Sequence, residues 1–258
     1  MHQQEEGEDK NPDPTWQPRG PSRSRGTSNT RQARPIQGGY QYCTTPCLKA
    51  LKNGGYDPEC PNAADHKKLH FKLDDVINDL VECMNATEME LIDSGNSASC
   101  AAVRSRKYGH LVVVKAYHEQ TEKILSDTEA KVYEYLSILQ GINIPLILAK
   151  VSAVFAGTRR RIIVMSYGGI PLHRYTANNE LVEELANACI AMYAHGIVLD
   201  DSSPNNVLVR GTKVAVIDFE MAYIVDQPSP EDVETFATDI RRLAEKVKVS
   251  GNLNALLP

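Results

Sequence analysis

The stretch "NNVLVRGTKVAVIDFEMA", Asn205 to Ala222, does most to limit what this chain can fold into. Two alternating apolar runs flank Arg210-Gly211-Thr212, a turn signal, and so predict a β-hairpin. In a hairpin the residue before the first strand and the residue after the second lie at the same end. Asn206 opens the first strand and Asp218 ends the second, while Asp201 lies five residues before Asn206. These three polar side chains can therefore converge on one point. A carboxylate and an amide oxygen meeting there suit a hard divalent cation such as Mg²⁺, which takes few protein oxygens and completes its octahedron with water and phosphate. A further carboxylate off the metal can orient an attacking hydroxyl. Taken alone, "DDSSPNN" also reads as a surface turn with cap residues.

Upstream, "HLVVVKAY" is an apolar strand closing on Lys115. Such a lysine can simply extend to solvent. A helix, "DTEAKVYEYLSILQG", begins a little over ten residues later, carries Glu129 in its first turns and is predicted to stop at Gly141. A Lys115–Glu129 pair between strand and helix would hold an ammonium toward phosphates; Glu122 and Glu134 are the alternatives on other helix registers. "KVSAVFAGTRRRIIVMSYGG" predicts two strands around a basic turn, and "ELVEELANACIAMYAHG" a helix. His195, before the polar loop, reads as a structural hydrogen-bonding residue. "PSPEDVETFATDIRRLAEKV" predicts a last helix on the spacing of Val233, Phe236, Ala237, Ile240 and Leu243.

The order of Asp-x4-Asn, then Asp-Phe-x, with an upstream strand lysine and helix glutamate resembles the protein-kinase motif set, whose parts are a known template. The segments "YCTTPCLKALKNGGYDPECPN", "EAKVYEYLSILQGINIP", "MSYGG" and "IDFEMA" resemble more narrowly the kinase-like proteins of filamentous fungi with an N-terminal Cys-rich segment, of the small atypical-kinase and aminoglycoside-phosphotransferase type. The resemblance runs from about Tyr40 to Ala244. It implies an α+β, two-lobed protein-kinase-like fold with a truncated C-lobe, and an ATP- and Mg-dependent phosphotransferase. By that likeness Asp201 is the catalytic-loop base, Asn206 and Asp218 hold Mg²⁺, and Lys115, paired with Glu129, contacts the nucleotide phosphates. Backbone groups at Met165, Ser166 and Tyr167 hold adenine, and Gly95 sits in the phosphate-covering loop.

The chain departs from that pattern. Leu199-Asp200-Asp201 stands where kinases have His-Arg-Asp, and Ser203 replaces a lysine two residues after the base. Asp200 adds negative charge near a polyphosphate. Glu220 occupies the glycine position of Asp-Phe-Gly, and Asp93 and Ala98 fall where glycines flank Gly95. Only 38 residues follow Glu220, too few for a peptide-docking platform. These letters also fit a second reading, a pseudokinase that serves as an interaction module.

Residues 1–39 carry almost no apolar side chains and read as a disordered tail, acidic first and Arg-rich after, with a protein partner as the sharper reading of its arginines. Residues 40–86 form a Cys/His-rich segment followed by a helix, "LDDVINDLVECM"; 87–166 and 167–258 correspond to the two lobes. The spacing Cys43-x3-Cys47-x12-Cys60-x5-His66 offers three thiolates and an imidazole for a structural zinc ion, with His70 as another fourth ligand and packed, reduced cysteines as the plain alternative. Cys83, Cys100 and Cys189 sit in apolar patterns and are expected to be inert core thiols.

Composition sets the remaining bounds. Apolar residues make up 42% of 258, enough for one sizeable core. A net charge of −5 gives no electrostatic ground for nucleic acid as a partner. No apolar run reaches a membrane span of roughly 18–20 residues, and the polar start "MHQQEEGEDKNPDP" is unlike a signal peptide. The expectation is an intracellular protein, cytoplasmic or nuclear, that binds a nucleotide and passes phosphate to an unidentified hydroxyl acceptor.

Overall fold

The computed structural model describes residues 40–250 apart from 56, 67–70, 119–121, 176–177 and 200–202. The proposed tail 1–39, His70, Asp200 and Asp201 lie outside the described residues. The fold is mixed α+β, with six α-helices and a five-stranded antiparallel sheet among the described residues. No described helix is long and apolar enough to cross a membrane.

The sheet has strands β1 (Met89–Ser94), β2 (Ala98–Arg104), β3 (Leu111–Tyr117), β4 (Ile147–Phe155) and β5 (Thr158–Met165), in the order β1-β2-β3-β5-β4. β3 lies at its centre and every residue of it is buried, Lys115 included, as suits a mostly apolar strand covered on both faces. Because side chains alternate, Val112, Val114 and Ala116 join one core and Val113 and Tyr117 another. Lys115 belongs to the second face. It stands in mid-strand rather than at the strand's close, because β2 pairs as far as Ala98 opposite Tyr117.

The first core also takes in helices α1 (Thr45–Lys52), α2 (Ala63–His66) and α3 (Leu73–Asn85). Thr44 caps α1 by accepting from the Cys47 amide, the usual N-cap geometry. α3 turns Val76, Ile77, Leu80, Cys83 and Met84 inward at helical spacing, and they share one cluster with Cys43, Cys47, Cys60 and the sheet. The Cys-rich segment thus shares the sheet's core instead of building its own.

Helix α4 (Glu122–Tyr135) packs on the other face. It does not continue to Gly141: it breaks after Tyr135 into a 3-10 turn, Ser137–Leu139. The Gln140 side chain explains the break, since its Nε2 donates to the Tyr133 carbonyl while its Oε1 accepts from the Ile147 amide. The arginines of "GTRRR" are in β5, not in the turn; Ala156 and Gly157 make the turn, both with positive φ, which suits a tight hairpin.

The remaining elements are β6 (Ile170–Pro171), α5 (Asn179–Ala194), β7 (Ile197–Leu199), β8 (Val207–Arg210), β9 (Lys213–Val216), β10 (Ala222–Ile224) and α6 (Pro230–Ser250). β8 and β9 form the expected hairpin, with β6 on its edge. Asn206 is in a 3-10 turn, Pro204–Asn206, one residue before the strand it was expected to open. Gly169, at φ +131°, lets β6 approach: a Cβ there would lie 2.2 Å from the Val209 carbonyl oxygen. α5 and α6 pack together over this hairpin through Leu181, Leu185, Cys189, Ile240, Ala244 and Val247.

Candidate functional site

Two groups of chemistry-bearing side chains lie on opposite faces of the sheet. On the α4 face is a cleft of about 600 Å³, lined by Gly95, Ala98, Val113, Lys115, Met165–Tyr167, Asn206 and Asp218, among others. The β1–β2 hairpin supplies Gly95, whose amide donates to the Ala98 carbonyl at 2.9 Å. His118 braces this turn, accepting from or donating to Ser99 at 3.1 Å and donating to the Asn96 carbonyl at 2.9 Å.

Lys115 Nζ is the centre of charge. It donates to Glu129 Oε2 and to Asp218 Oδ1, both at 2.7 Å, and lies 2.9 Å from Glu220 Oε1. Glu129 is 1% exposed and Lys115 8%, so these charges interact with little water between them. Burial alone would lower the Lys115 pKa; Glu129, with Tyr117, Asp218 and Glu220, holds it well above the ordinary lysine value. Burial raises the Glu129 carboxyl above its usual range despite Lys115. Tyr117 also donates its hydroxyl to Glu129 Oε2 in a short contact.

Asp218 follows β9 with φ 69° and ψ 64°, the left-handed region that few non-glycine residues adopt. The Ile217 amide donates to the Asn206 carbonyl at 2.8 Å, which ties the two ends of the hairpin and brings Asn206 and Asp218 to one wall of the cleft. Of the glutamates weighed on α4, Glu129 meets Lys115 and Glu134 is exposed. Met165, Ser166 and Tyr167 run along the cleft after β5; Ser166 exchanges bonds with Leu146 through its amide and its hydroxyl. Asp201 and Asp200 lie outside the described residues, between β7 and Ser203.

Sequence reasoning missed four neighbours here. Glu220 reaches Lys115 because the 3-10 turn Phe219–Met221 folds it back. Tyr117 and Tyr133 surround Glu129, and the i, i+4 spacing of Glu129 and Tyr133 was the available signal. Cys100 is half-buried, lines the cleft and stands opposite Lys115 in the β2–β3 register, so it is not a core thiol. Its β2 alternation with Ala98 placed it on that face. Burial pushes its thiol up to about 12, which leaves it unreactive. Cys83 and Cys189 are buried as expected. His195 donates to the Ala191 carbonyl at 2.8 Å, a structural bond.

The second group is Cys43, Cys47, Cys60 and His66, all buried, with ligand atoms within 4.8 Å of one another. His66 Nε2 lies 3.5 Å from both Cys43 Sγ and Cys60 Sγ. A tetrahedral zinc ion, with bonds of about 2.3 Å to sulfur and 2.0–2.1 Å to nitrogen, has S···N edges of about 3.6 Å. Around it, His66 Nδ1 donates to the Tyr108 carbonyl at 2.9 Å, and the Leu111 amide and Asn62 Nδ2 donate to Cys43 Sγ at 3.4 and 3.5 Å. Such outer bonds orient ligands and favour thiolate. Hydrogen bonds from Cys43 and Cys47 hold the Cys60 thiol far below its usual value, while bonds with Cys43 and Cys60 push Cys47 up. Burial would lower His66, but the Cys43 and Cys60 sulfurs hold it at about 10. The donor set and its spacing suit a metal such as zinc. The two groups are linked at Tyr42, which stacks on Tyr167 with ring centroids 3.9 Å apart.

No family model matches the chain, and no curated protein matches it.

Proposed function

We propose that the chain is a kinase-like phosphotransferase of two lobes, binding ATP and Mg²⁺ in the Lys115 cleft and carrying phosphate to a hydroxyl acceptor. The observation that supports this most is the joining of Lys115, Glu129 and Asp218 from three separate elements at one charged point, under the Gly95 hairpin. A merely structural lysine does not need a buried glutamate and a strained aspartate together. Backbone strain of about 1–3 kcal/mol at a residue like Asp218 persists where the surroundings enforce it, most often at functional sites.

The lining fits the group. Ala98 and Val113 of the sheet and Leu208 and Ile217 of the hairpin offer apolar surface to a flat base, and Met165 to Tyr167 pass beside it. Magnesium–ATP, when bound, supplies an activated phosphoryl group. Asp218 and Asn206 would hold the metal, as hard oxygen donors do. Lys115, oriented by Glu129, would bind phosphate oxygens. Asp201 would accept or orient the proton of the acceptor hydroxyl. The Cys43, Cys47, Cys60 and His66 group would hold zinc in a structural role, because four protein ligands leave no open position.

Thermal shift with ATP, with and without Mg²⁺, followed by a phosphate-transfer assay, tests this reading. A ligand that binds only the folded state raises its melting midpoint. Asp218→Ala should abolish Mg-dependent transfer and the Mg-dependent part of the shift while the fold survives; unchanged turnover refutes the assignment. The second reading, an interaction module, is favoured by Asp200 and Ser203 and by the crowding of three carboxylates on Lys115. No shift at millimolar nucleotide would select it.

A further inference from the structure

The cleft carries a charge imbalance that binding of phosphate would worsen. One ammonium, Lys115, faces Glu129, Asp218 and Glu220 at 2.7–2.9 Å. Oxygens of the three acids lie within 4.8 Å of one another. Two negative charges are left over where water is scarce, and like charges so close disfavour joint ionisation. A second observation comes from outside the acids. Tyr133 on α4 lines the same cleft, and its buried hydroxyl has no hydrogen-bond partner; Glu129 Oε1 has none either. Glu220 Oε1 faces the Lys115 ammonium at 2.9 Å. Buried polar atoms are normally satisfied. Two unpartnered atoms on residues of the cleft, beside a surplus of two negative charges, match a divalent ion that brings water with it.

We infer that Asp218 and Glu220 are the paired carboxylates of a divalent-cation site that fills before nucleotide binds and, on filling, releases Lys115. The ion neutralises the surplus charge. Asp218 and Glu220 turn from Lys115 to the ion, while Glu129 stays and keeps the ammonium in place. Lys115 donors held by carboxylate then become free for phosphate. Glu220 is thus a positioning residue: it adds a ligand for the cation and holds Lys115 closed without one. The cation site stands by itself; only its consequence for phosphate rests on the phosphotransferase reading.

The test is titration of Mn²⁺ into the full chain without nucleotide, with free Mn²⁺ read by electron paramagnetic resonance. The wild-type chain should bind one ion. Glu220→Gln should weaken that binding about tenfold or more, since ligand charge sets affinity at such sites, and Asp218→Asn should do the same. Both variants relieve repulsion, so in EDTA their melting midpoints should not fall below that of the wild-type chain in EDTA. Glu220→Gln should also let ATP raise the midpoint without metal, which the wild-type chain resists. Absence of Mn²⁺ binding at millimolar ion, or equal binding by Glu220→Gln, overturns the inference. If magnesium–ATP shifts wild-type and Glu220→Gln chains alike, the nucleotide reading stands and the cation inference falls. If Mn²⁺ binding depends on Glu220 but ATP never shifts the midpoint, the cation site stands and the nucleotide reading falls.

Discussion

Stripping the metal from the Cys43, Cys47, Cys60 and His66 group should lower the melting midpoint of the whole sheet, in one transition. The reason is packing: the three cysteines belong to the same buried cluster as Val112 and Val114 of β3 and Ile162 and Val164 of β5. There is no boundary at which the segment could melt alone. An ion present at about 1,000 times its dissociation constant stabilises the folded state by about 4.1 kcal/mol. At about 2–4 °C per kcal/mol for a domain of this size, a strong chelator should therefore cost about 8–16 °C. Differential scanning calorimetry reads the shift, and elemental analysis should find one zinc per chain beforehand. Cys60→Ser should melt near the chelated wild-type chain and lose the chelator's effect. Cys83→Ala is the control, since Cys83 is fully buried in the same cluster but is no ligand. It loses packing but should keep its zinc and its response to chelator. A chain purified without stoichiometric metal, or a midpoint indifferent to chelator, refutes the reasoning.

Two further outcomes follow from particular contacts. Gly169→Ala puts a Cβ 2.2 Å from the Val209 carbonyl oxygen, so β6 must leave β8; urea unfolding should show a loss of about 3 kcal/mol or more, against about 1–2 kcal/mol for Gly211→Ala, whose Cβ meets open space and adds only left-handed strain. Burial would raise the pKa of Asp79, but bonds from the Ser105 hydroxyl at 2.6 Å and the Lys107 amide at 3.0 Å, with the Lys107 charge, hold it below the usual carboxylate value. A depressed folded pKa gives stability that is present above the unfolded carboxylate value and lost as pH falls through the folded one, so Asp79→Asn should flatten the acid limb of the stability–pH profile while lowering stability at pH 7.

What could be read from the chain was what periodicity and turn chemistry govern. The apolar spacing of α3, α5 and α6 and the alternation in β8 and β9 are local, and each element lies near where that pattern puts it. The failures came from distant partners. Nothing within "EAKVYEYLSILQG" says that Gln140 will capture the Tyr133 carbonyl and end α4 early. Lys115 read as a closing residue because it is the first polar residue after the apolar run Leu111 to Val114, yet the strand is set by its pairing as far as Ala98 opposite Tyr117. Glu220 was seen as a glycine replaced, not as a partner of Lys115. Only the fold-back of Phe219–Met221 turns a change of residue type into a third carboxylate on the same ammonium.

β3 is the element through which the Cys43, Cys47, Cys60 and His66 group and the cleft must feel one another. Its residues alternate between them: Val112, Val114 and Ala116 pack with the cysteine cluster, while Val113 and Lys115 line the cleft and Tyr117 is buried on their face. Cys43 is fixed to the strand's first residue in both directions, its amide donating to the Leu111 carbonyl at 3.2 Å and its sulfur accepting from the Leu111 amide. One residue earlier, Tyr42 lies flat on Tyr167 beside the cleft. A loosened Cys43 would therefore disturb the strand that carries Lys115 and the segment after β5 by separate routes. Close-packed interiors transmit such strain because they contain little free volume to absorb it. Lys115 Nζ meets Glu129 and Asp218 at 2.7 Å, so the geometry of that contact depends on a strand whose other face is set by the cysteines.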